Sequence, residues 1–113
     1  MMSLNMSAPF LDFVARRLQA VAEPNRIRIL TMLQEKEATV QDLTDELATT
    51  HQNVSKHLGI LYQAGIVSRR KDGTKVWYAL ADFTVCRLVE QAAQSAAGYV
   101  EELATIAGIS GYS

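Results

Sequence analysis

Residues 50–80 read THQNVSKHLGILYQAGIVSRRKDGTKVWYAL, and their pattern decides the fold. At 100° per residue, Val54, Leu58 and Leu61 fall in one narrow stripe, as a helix packed on a core requires. Gln52, Lys56, Gly59 and Gln63 lie on the opposite face with Ser55 beside them, and no acid occurs from His51 to Ala64. Gly65 stands where a helix of about 50–64 would stop, because glycine takes up the left-handed conformation of that position at little cost. Two strand-like runs, 66–71 and 74–80, flank Asp72-Gly73, a strong hairpin signal. A two-residue turn there sets Lys71 opposite Thr74, Arg69 opposite Val76 and Val67 opposite Tyr78. Val67, Val76, Tyr78 and Leu80 then share an inward face, and Arg70, Lys75 and Trp77 share the other. The charged tip cannot be buried, so the hairpin projects as a wing.

The outer face of this helix is chemically unusual. A surface helix normally carries Glu and Lys for solubility, whereas this one offers amide, hydroxyl, ammonium and glycine. Amides and hydroxyls pair with base edges or phosphate oxygens, and a carboxylate would repel phosphate. Charge supports the same reading: residues 51–80 carry five bases and one acid. Residues 1–50 carry five bases and seven acids, and residues 81–113 one base and four acids. The net charge of −1 thus hides a basic patch on a mildly acidic body. Only the contacting face of a nucleic-acid binder must be positive. Charge alone is equally compatible with a solvated hairpin tip.

Working outward, Phe10, Val14, Leu18 and Val21 recur at helical spacing after Pro9, which suits a first helical turn. Pro24 opens a second helix with Ile27, Leu30 and Leu33 (or Met32) inward. Thr39 followed by Asp42 resembles a capping box for a short third helix whose Val40, Leu43 and Leu47 share a face. Asp82 can cap a last helix with Cys86, Val89, Ala93, Ala97, Val100 and Ala104 along one stripe. The first and last helices carry more apolar surface than one small core needs. Phe10, Phe13, Val14, Val89, Ala93, Ala97, Val100 and Ala104 are therefore predicted to form a homodimer interface.

The 113 residues suit one domain, predicted over 9–107 with a flexible arm at 1–8 and a tail at 108–113. Hydrophobic residues make up 49% of the chain, which argues against global disorder. A single cysteine, Cys86, excludes an internal disulfide or a cysteine metal cluster within one protomer. No stretch approaches membrane-spanning length, and a cytoplasmic protein is expected. Paired carboxylates in a plausible cleft, a phosphate-cradling glycine loop and a metal cluster are all missing from the sequence, so an enzyme is not expected.

Three segments together resemble the ArsR/SmtB-type winged helix-turn-helix transcriptional repressors over roughly residues 10–105. They are Ala22-Glu23-Pro24-Asn25-Arg26-Ile27-Arg28-Ile29-Leu30, then Asn53-Val54-Ser55-Lys56-His57-Leu58 with Leu61 and Ala64-Gly65-Ile66-Val67, and the wing from Arg69 to Tyr78. The resemblance implies a mainly α fold with a small β-hairpin, ordered α-α-α-α-β-β-α, dimerising through its terminal helices on a palindromic operator of double-stranded DNA. It places DNA contacts at His51, Gln52, Ser55 and Lys56, three of which the helical wheel also selects, with Asn53 and Gln63 as plausible additions. Wing contacts fall to Lys71, Thr74 and Lys75, with Arg69 or Arg70 on the adjoining backbone. His57 sits nearer the apolar stripe and is expected to be a hydrogen-bonded packing residue.

Many such repressors release DNA when metal binds, and this chain departs from them there. The positions that carry ligands in two metal-sensing classes are here Thr39, Gln41, Thr84, Ser95 and Gly98, with Asp82 alone retained. No metal cofactor is expected, and an unknown small-molecule inducer remains open. Cys86 on the apolar stripe is expected to be a buried, inert thiol. The rival functional reading is a winged-helix protein-interaction module without DNA binding.

Overall fold

The computed structural model describes residues 6–108, which form two compact units divided after Asp82. The first holds α1 (Ala8–Val21), α2 (Pro24–Glu35), β1 (Ala38–Thr39), α3 (Val40–Leu47), α4 (His51–Gln63), β2 (Val67–Asp72) and β3 (Lys75–Leu80). The second holds α5 (Phe83–Ile106). Most of the arm and tail, residues 1–5 and 109–113, lies outside the described residues. The helix begins just inside the predicted arm: Ala8 is helical, and the Ser7 hydroxyl accepts from the Phe10 N–H at 3.4 Å.

The core of the first unit gathers Ile29, Leu30 and Leu33 from α2, Leu43 and Leu47 from α3, and Val54, Leu58 and Leu61 from α4. Ile66, Val67, Tyr78 and Leu80 close it from the sheet side. Ile27 and Met32 are only half-buried, and Ile29 is fully enclosed instead. The cause is that α2 touches α1, α3, α4 and β3 at once, so its buried arc is turned from the single stripe that periodicity suggests.

Local chemistry sets the helix ends. Thr39 and Asp42 form a complete capping box: the Asp42 N–H donates to Thr39 Oγ1, and the Thr39 N–H donates to Asp42 Oδ2, both at 3.1 Å. α3 ends on Ala48 at φ 52, the one non-glycine residue with positive φ among those described. That left-handed residue lets the chain turn within three residues into α4. α4 ends in a complete Schellman motif around Gly65 at φ 74. The Gly65 N–H reaches the Tyr62 carbonyl and the Ile66 N–H the Leu61 carbonyl, both at 3.0 Å, while the side chains of Ile66 and Leu61 are buried together.

The sheet has three strands in the order β1-β3-β2, all antiparallel. β1, two residues long, was not anticipated, since so short a segment carries no periodicity. The hairpin register also corrects the expectation: Asp72 pairs with Lys75, Lys71 with Val76, Arg69 with Tyr78 and Val67 with Leu80. The turn is therefore Gly73-Thr74 and not Asp72-Gly73. Gly73 has φ 64 while Thr74 does not have positive φ, a glycine-first arrangement that suits the strand twist. The slip moves the pairing by two residues, so each side chain keeps its predicted face.

In α5, Cys86 is buried. Val89, Val100 and Ala104 are half-buried, and Ala93 and Ala97 are exposed.

The Thr39 backbone N–H, then its hydroxyl, hold the Asp42 carboxyl below the usual aspartate range. A depressed folded-state pKa gives stability that is present above the unfolded value and lost as pH falls through the folded one. Asp42 is exposed and its charge screened by solvent, so Asp42→Asn is expected to cost only about 0.3–0.5 kcal/mol at neutral pH. In urea unfolding across pH, the gap between variant and parent should close in acid below the ordinary aspartate range. A gap that stays constant to low pH would show that the ionised capping box contributes nothing to stability.

Candidate nucleic-acid interface

α4 is presented by its buried face and by both of its ends. Val54, Leu58 and Leu61 are fully buried, and His57 is 7% exposed on the same side. Arg26 Nη1 lies 3.1 Å from His57 Nδ1, and Arg26 Nε donates to the Ala20 carbonyl at 2.6 Å. Facing an arginine donor, Nδ1 acts as the acceptor, which assigns the ring proton to Nε2. Glu23 caps α2 through the Arg26 N–H at 3.0 Å and stands 3.7 Å from the same histidine nitrogen. His57 is thus a packing residue joining α4 to α2, as expected.

The far end of α4 is held by Arg17. Its Nη1 donates to the Ala64 carbonyl, and its Nη2 meets Asp82 Oδ2 at 2.6 Å. One guanidinium from α1 therefore fixes the C-cap of α4 and Asp82, two residues beyond β3. At the near end, Thr50 Oγ1 accepts from the Asn53 N–H at 3.1 Å.

With α4 seated this way, His51, Gln52, Ser55 and Lys56 are all exposed. Thr50, Gln52, Asn53 and Lys56 line one shallow cleft. Asn53 is half-buried, and its amide Nδ2 donates to Thr49 Oγ1 at 3.1 Å, so part of its capacity is used within the turn. His51 lines a second cleft with Gln41, Thr74 and Lys75, which brings the start of α4 beside the turn end of the wing. Gln63 is exposed but stands apart. It is roughly 16 Å along the helix from Gln52, and it lines a recess with Arg16 and Arg17 of α1.

The wing separates into holding and free cations. Arg69 stacks 4.3 Å above the Tyr62 ring of α4. Arg70 reaches across β3 to Glu37 with two bonds, Nη2 to Oε1 at 2.5 Å and Nε to Oε2 at 3.2 Å. Its path crosses the face of Trp77, 5.6 Å from the ring centroid. Glu37, acting first by that hydrogen bond, raises the pKa of Arg70 further. Both partners are substantially exposed, so the pair adds little to stability but fixes how the wing leans. Lys56, Lys71 and Lys75 make no salt bridge among the described residues, and Lys75 only approaches the Trp77 ring, 5.9 Å from its centroid. Thr74 and Lys75 are exposed at the tip.

Sequence reasoning did not identify Arg17, Arg26, Tyr62 or Glu37. Arg26 was signalled weakly by Glu23 three residues before it; the others answer partners far along the chain. Among the described residues, no three His, Cys, Asp or Glu side chains come together as a metal site. Thr39 is engaged in the capping box, and the Thr84 hydroxyl accepts from Arg87 at 3.3 Å. No described helix is long and apolar enough to cross a membrane.

The family model of a helix-turn-helix domain matches residues 21–70. The HTH-type transcriptional repressor SmtB of Mycobacterium tuberculosis is 39% identical over 79 residues, covering 70% of this chain and 58% of the repressor. The chain thus spans less than two thirds of that relative. The HTH-type transcriptional regulator Rv0081 of the same organism is 33% identical over 84 residues, 74% of each chain. Its crystal structure superposes with a TM-score of 0.74, covering 85% of this chain and 97% of that one. The solution structure of the homodimeric winged helix-turn-helix DNA-binding domain of Mb0332 from Mycobacterium bovis gives 0.72 at 29% identity, covering 85% and 89%. In sequence and in fold, this chain belongs to the ArsR/SmtB-type winged helix-turn-helix transcriptional regulators, a family of regulators and not of enzymes.

Proposed function

We propose that the chain is a sequence-specific double-stranded DNA-binding repressor that acts as a homodimer on a palindromic operator. The observation that carries this reading is the exposed, acid-free face of α4, turned outward by a fully buried opposite face. Laid in the major groove, Gln52 and Lys56 offer donors to base edges, with His51 and Ser55 at hand for bases or backbone. Lys71, Thr74 and Lys75 take phosphate from the wing. Arg69 and Arg70 hold the wing to α4 and to Glu37 and touch the backbone only secondarily.

The homodimer is supported by apolar surface that a single chain leaves in water. Phe10 is 40% and Phe13 58% exposed on α1, and Tyr99 is 62% exposed on α5. Leu11, Leu18, Leu88 and Leu103 are exposed as well. Apolar surface of this kind marks an interaction face, and pairing two copies would supply the two recognition helices that a palindrome needs.

The two wing lysines, Lys71 and Lys75, give four phosphate contacts in a dimer, so log affinity should fall against log salt with a slope of about −4. Lys75→Ala should weaken binding to promoter and random duplex alike and flatten that slope by about 2. Gln52→Ala should instead narrow the preference for the promoter over random duplex. Fluorescence anisotropy across a salt series reads both, and an equal loss on the two duplexes for Gln52→Ala would count against base reading.

Gly59 sits mid-helix on the outward face, and a Cβ added there meets nothing within 4 Å. Gly59→Ala is therefore expected to stabilise the fold by about 0.5–1 kcal/mol in thermal unfolding. The same methyl should weaken DNA binding by holding the helix off the groove. A more stable variant with undiminished DNA affinity would show that this face does not approach the duplex.

A further inference from the structure

A recess of about 730 Å³ opens between α1 and the C-terminal half of α4, wholly within the first unit. Its size falls within the roughly 300–1,000 Å³ typical of small-molecule sites. Phe13 and Ile60 supply apolar walls, Gln19 and Gln63 supply amides, and Arg16 and Arg17 supply positive charge. No acidic residue lines it. Arg26 also borders it, with its guanidinium committed to Ala20 and His57. Arg17 is balanced by Asp82, whereas Arg16 is exposed and has no charged or hydrogen-bonding partner among the described residues. Arg26 keeps its positive charge but has its donors committed to neutral acceptors, so Arg16 is the guanidinium of the recess whose donors are free among the described residues.

We infer that this recess is an effector site for a small organic anion, an aryl or alkyl phosphate or carboxylate. The anionic group pairs with the planar donor fork of Arg16, whose natural partner is an anion with two oxygens that accept two parallel hydrogen bonds. The apolar part rests against Ile60, since Phe13 belongs to the surface that the proposed dimer covers. The site differs from the family metal positions, since none of Thr39, Gln41, Thr84, Ser95 or Gly98 lines it.

Its place suggests what occupancy does. Arg17 is the residue whose Nη1 holds the Ala64 carbonyl at the end of α4. An anion drawn in by Arg16 competes for the Arg17 guanidinium, frees that carbonyl, and loosens the C-terminal end of the recognition helix. This second step rests on the DNA-binding reading above; the binding step does not.

The test is calorimetric titration of the full chain with phenyl phosphate, with inorganic phosphate and benzyl alcohol as partial probes. One phenyl phosphate per chain is expected to bind saturably, inorganic phosphate more weakly and benzyl alcohol not at all. Arg16→Gln, at an exposed and unpartnered position, should reduce affinity by about tenfold or more while circular dichroism and sedimentation stay unchanged. No saturation below about 10 mM would overturn the site. So would unchanged affinity in Arg16→Gln, or benzyl alcohol binding as tightly as phenyl phosphate. A second measurement follows anisotropy of a labelled promoter duplex: phenyl phosphate should weaken the complex of the parent protein and spare that of Arg16→Gln. Saturable binding with undisturbed DNA affinity would overturn the coupling alone. Failure to bind DNA at all would overturn the DNA-binding reading and the coupling with it, while the titration still decides the site.

Discussion

Everything outward about this molecule depends on how α4 is held from behind. Three fully buried aliphatic side chains fix its rotation, so the polar face points to solvent as a set. Rotation alone would still let the helix slide or tilt. Arg26 bonds His57 from α2, and Arg17 holds the C-cap from α1, each guanidinium joining elements that no local contact could join. Both arginines donate to acceptors that would otherwise be poorly satisfied: a carbonyl left free at a helix end and a ring nitrogen inside the core. Polar bonds in half-buried places are directional, whereas apolar burial is not, and the pose of α4 needs both.

The wing uses the same division of labour. Its five exposed cationic or hydroxyl side chains look alike in sequence, yet two are bound into the protein. Arg70 reaches across β3, over Trp77, to Glu37, and Arg69 covers Tyr62 of α4. These contacts lie on opposite faces of the hairpin, because neighbouring residues in a strand point in opposite directions. A hairpin gripped on both faces is steered as a lever, leaving its tip lysines to act as unpaired charges. The net charge of −1 is no obstacle to binding a polyanion, since what such a partner meets is the charge within a Debye length of the contact and not the sum over the chain.

Much of this was legible in the sequence where cause and effect are neighbours. The Thr39–Asp42 box, the stop at Gly65 and the inward stripe of α4 each depend on residues three or four apart, and each matched the structure. The hairpin was legible to within a slip of two, because alternation fixes the face but not which glycine-containing pair makes the turn. β1 was invisible, since a strand of two residues exists only through its partner β3. The roles of Arg17, Arg69 and Arg70 were invisible for a related reason. Arg17 answers a carbonyl 47 positions away and Arg70 a carboxylate 33 positions away, and no pattern in the chain couples such pairs.

The composition of α4 bears on what holds such a helix together. His51, Asn53, Ser55 and Gly59 are weak helix formers, and the outer face has no opposite-charge pairs to support it. A peptide of this sequence would be poorly helical, at 13 residues also near the length where isolated helices fail. The helix persists because Thr50 caps one end, the Gly65 motif closes the other, and the core claims the inner stripe. Helicity is thus supplied from outside the face that meets solvent, and that face is relieved of any duty to stabilise the fold. Residues there are free to be chosen for what they touch. A surface that contributes so little to its own helix, yet avoids the carboxylates that would make it a better one, is what the polyanionic partner proposed above would require and the needs of folding would not.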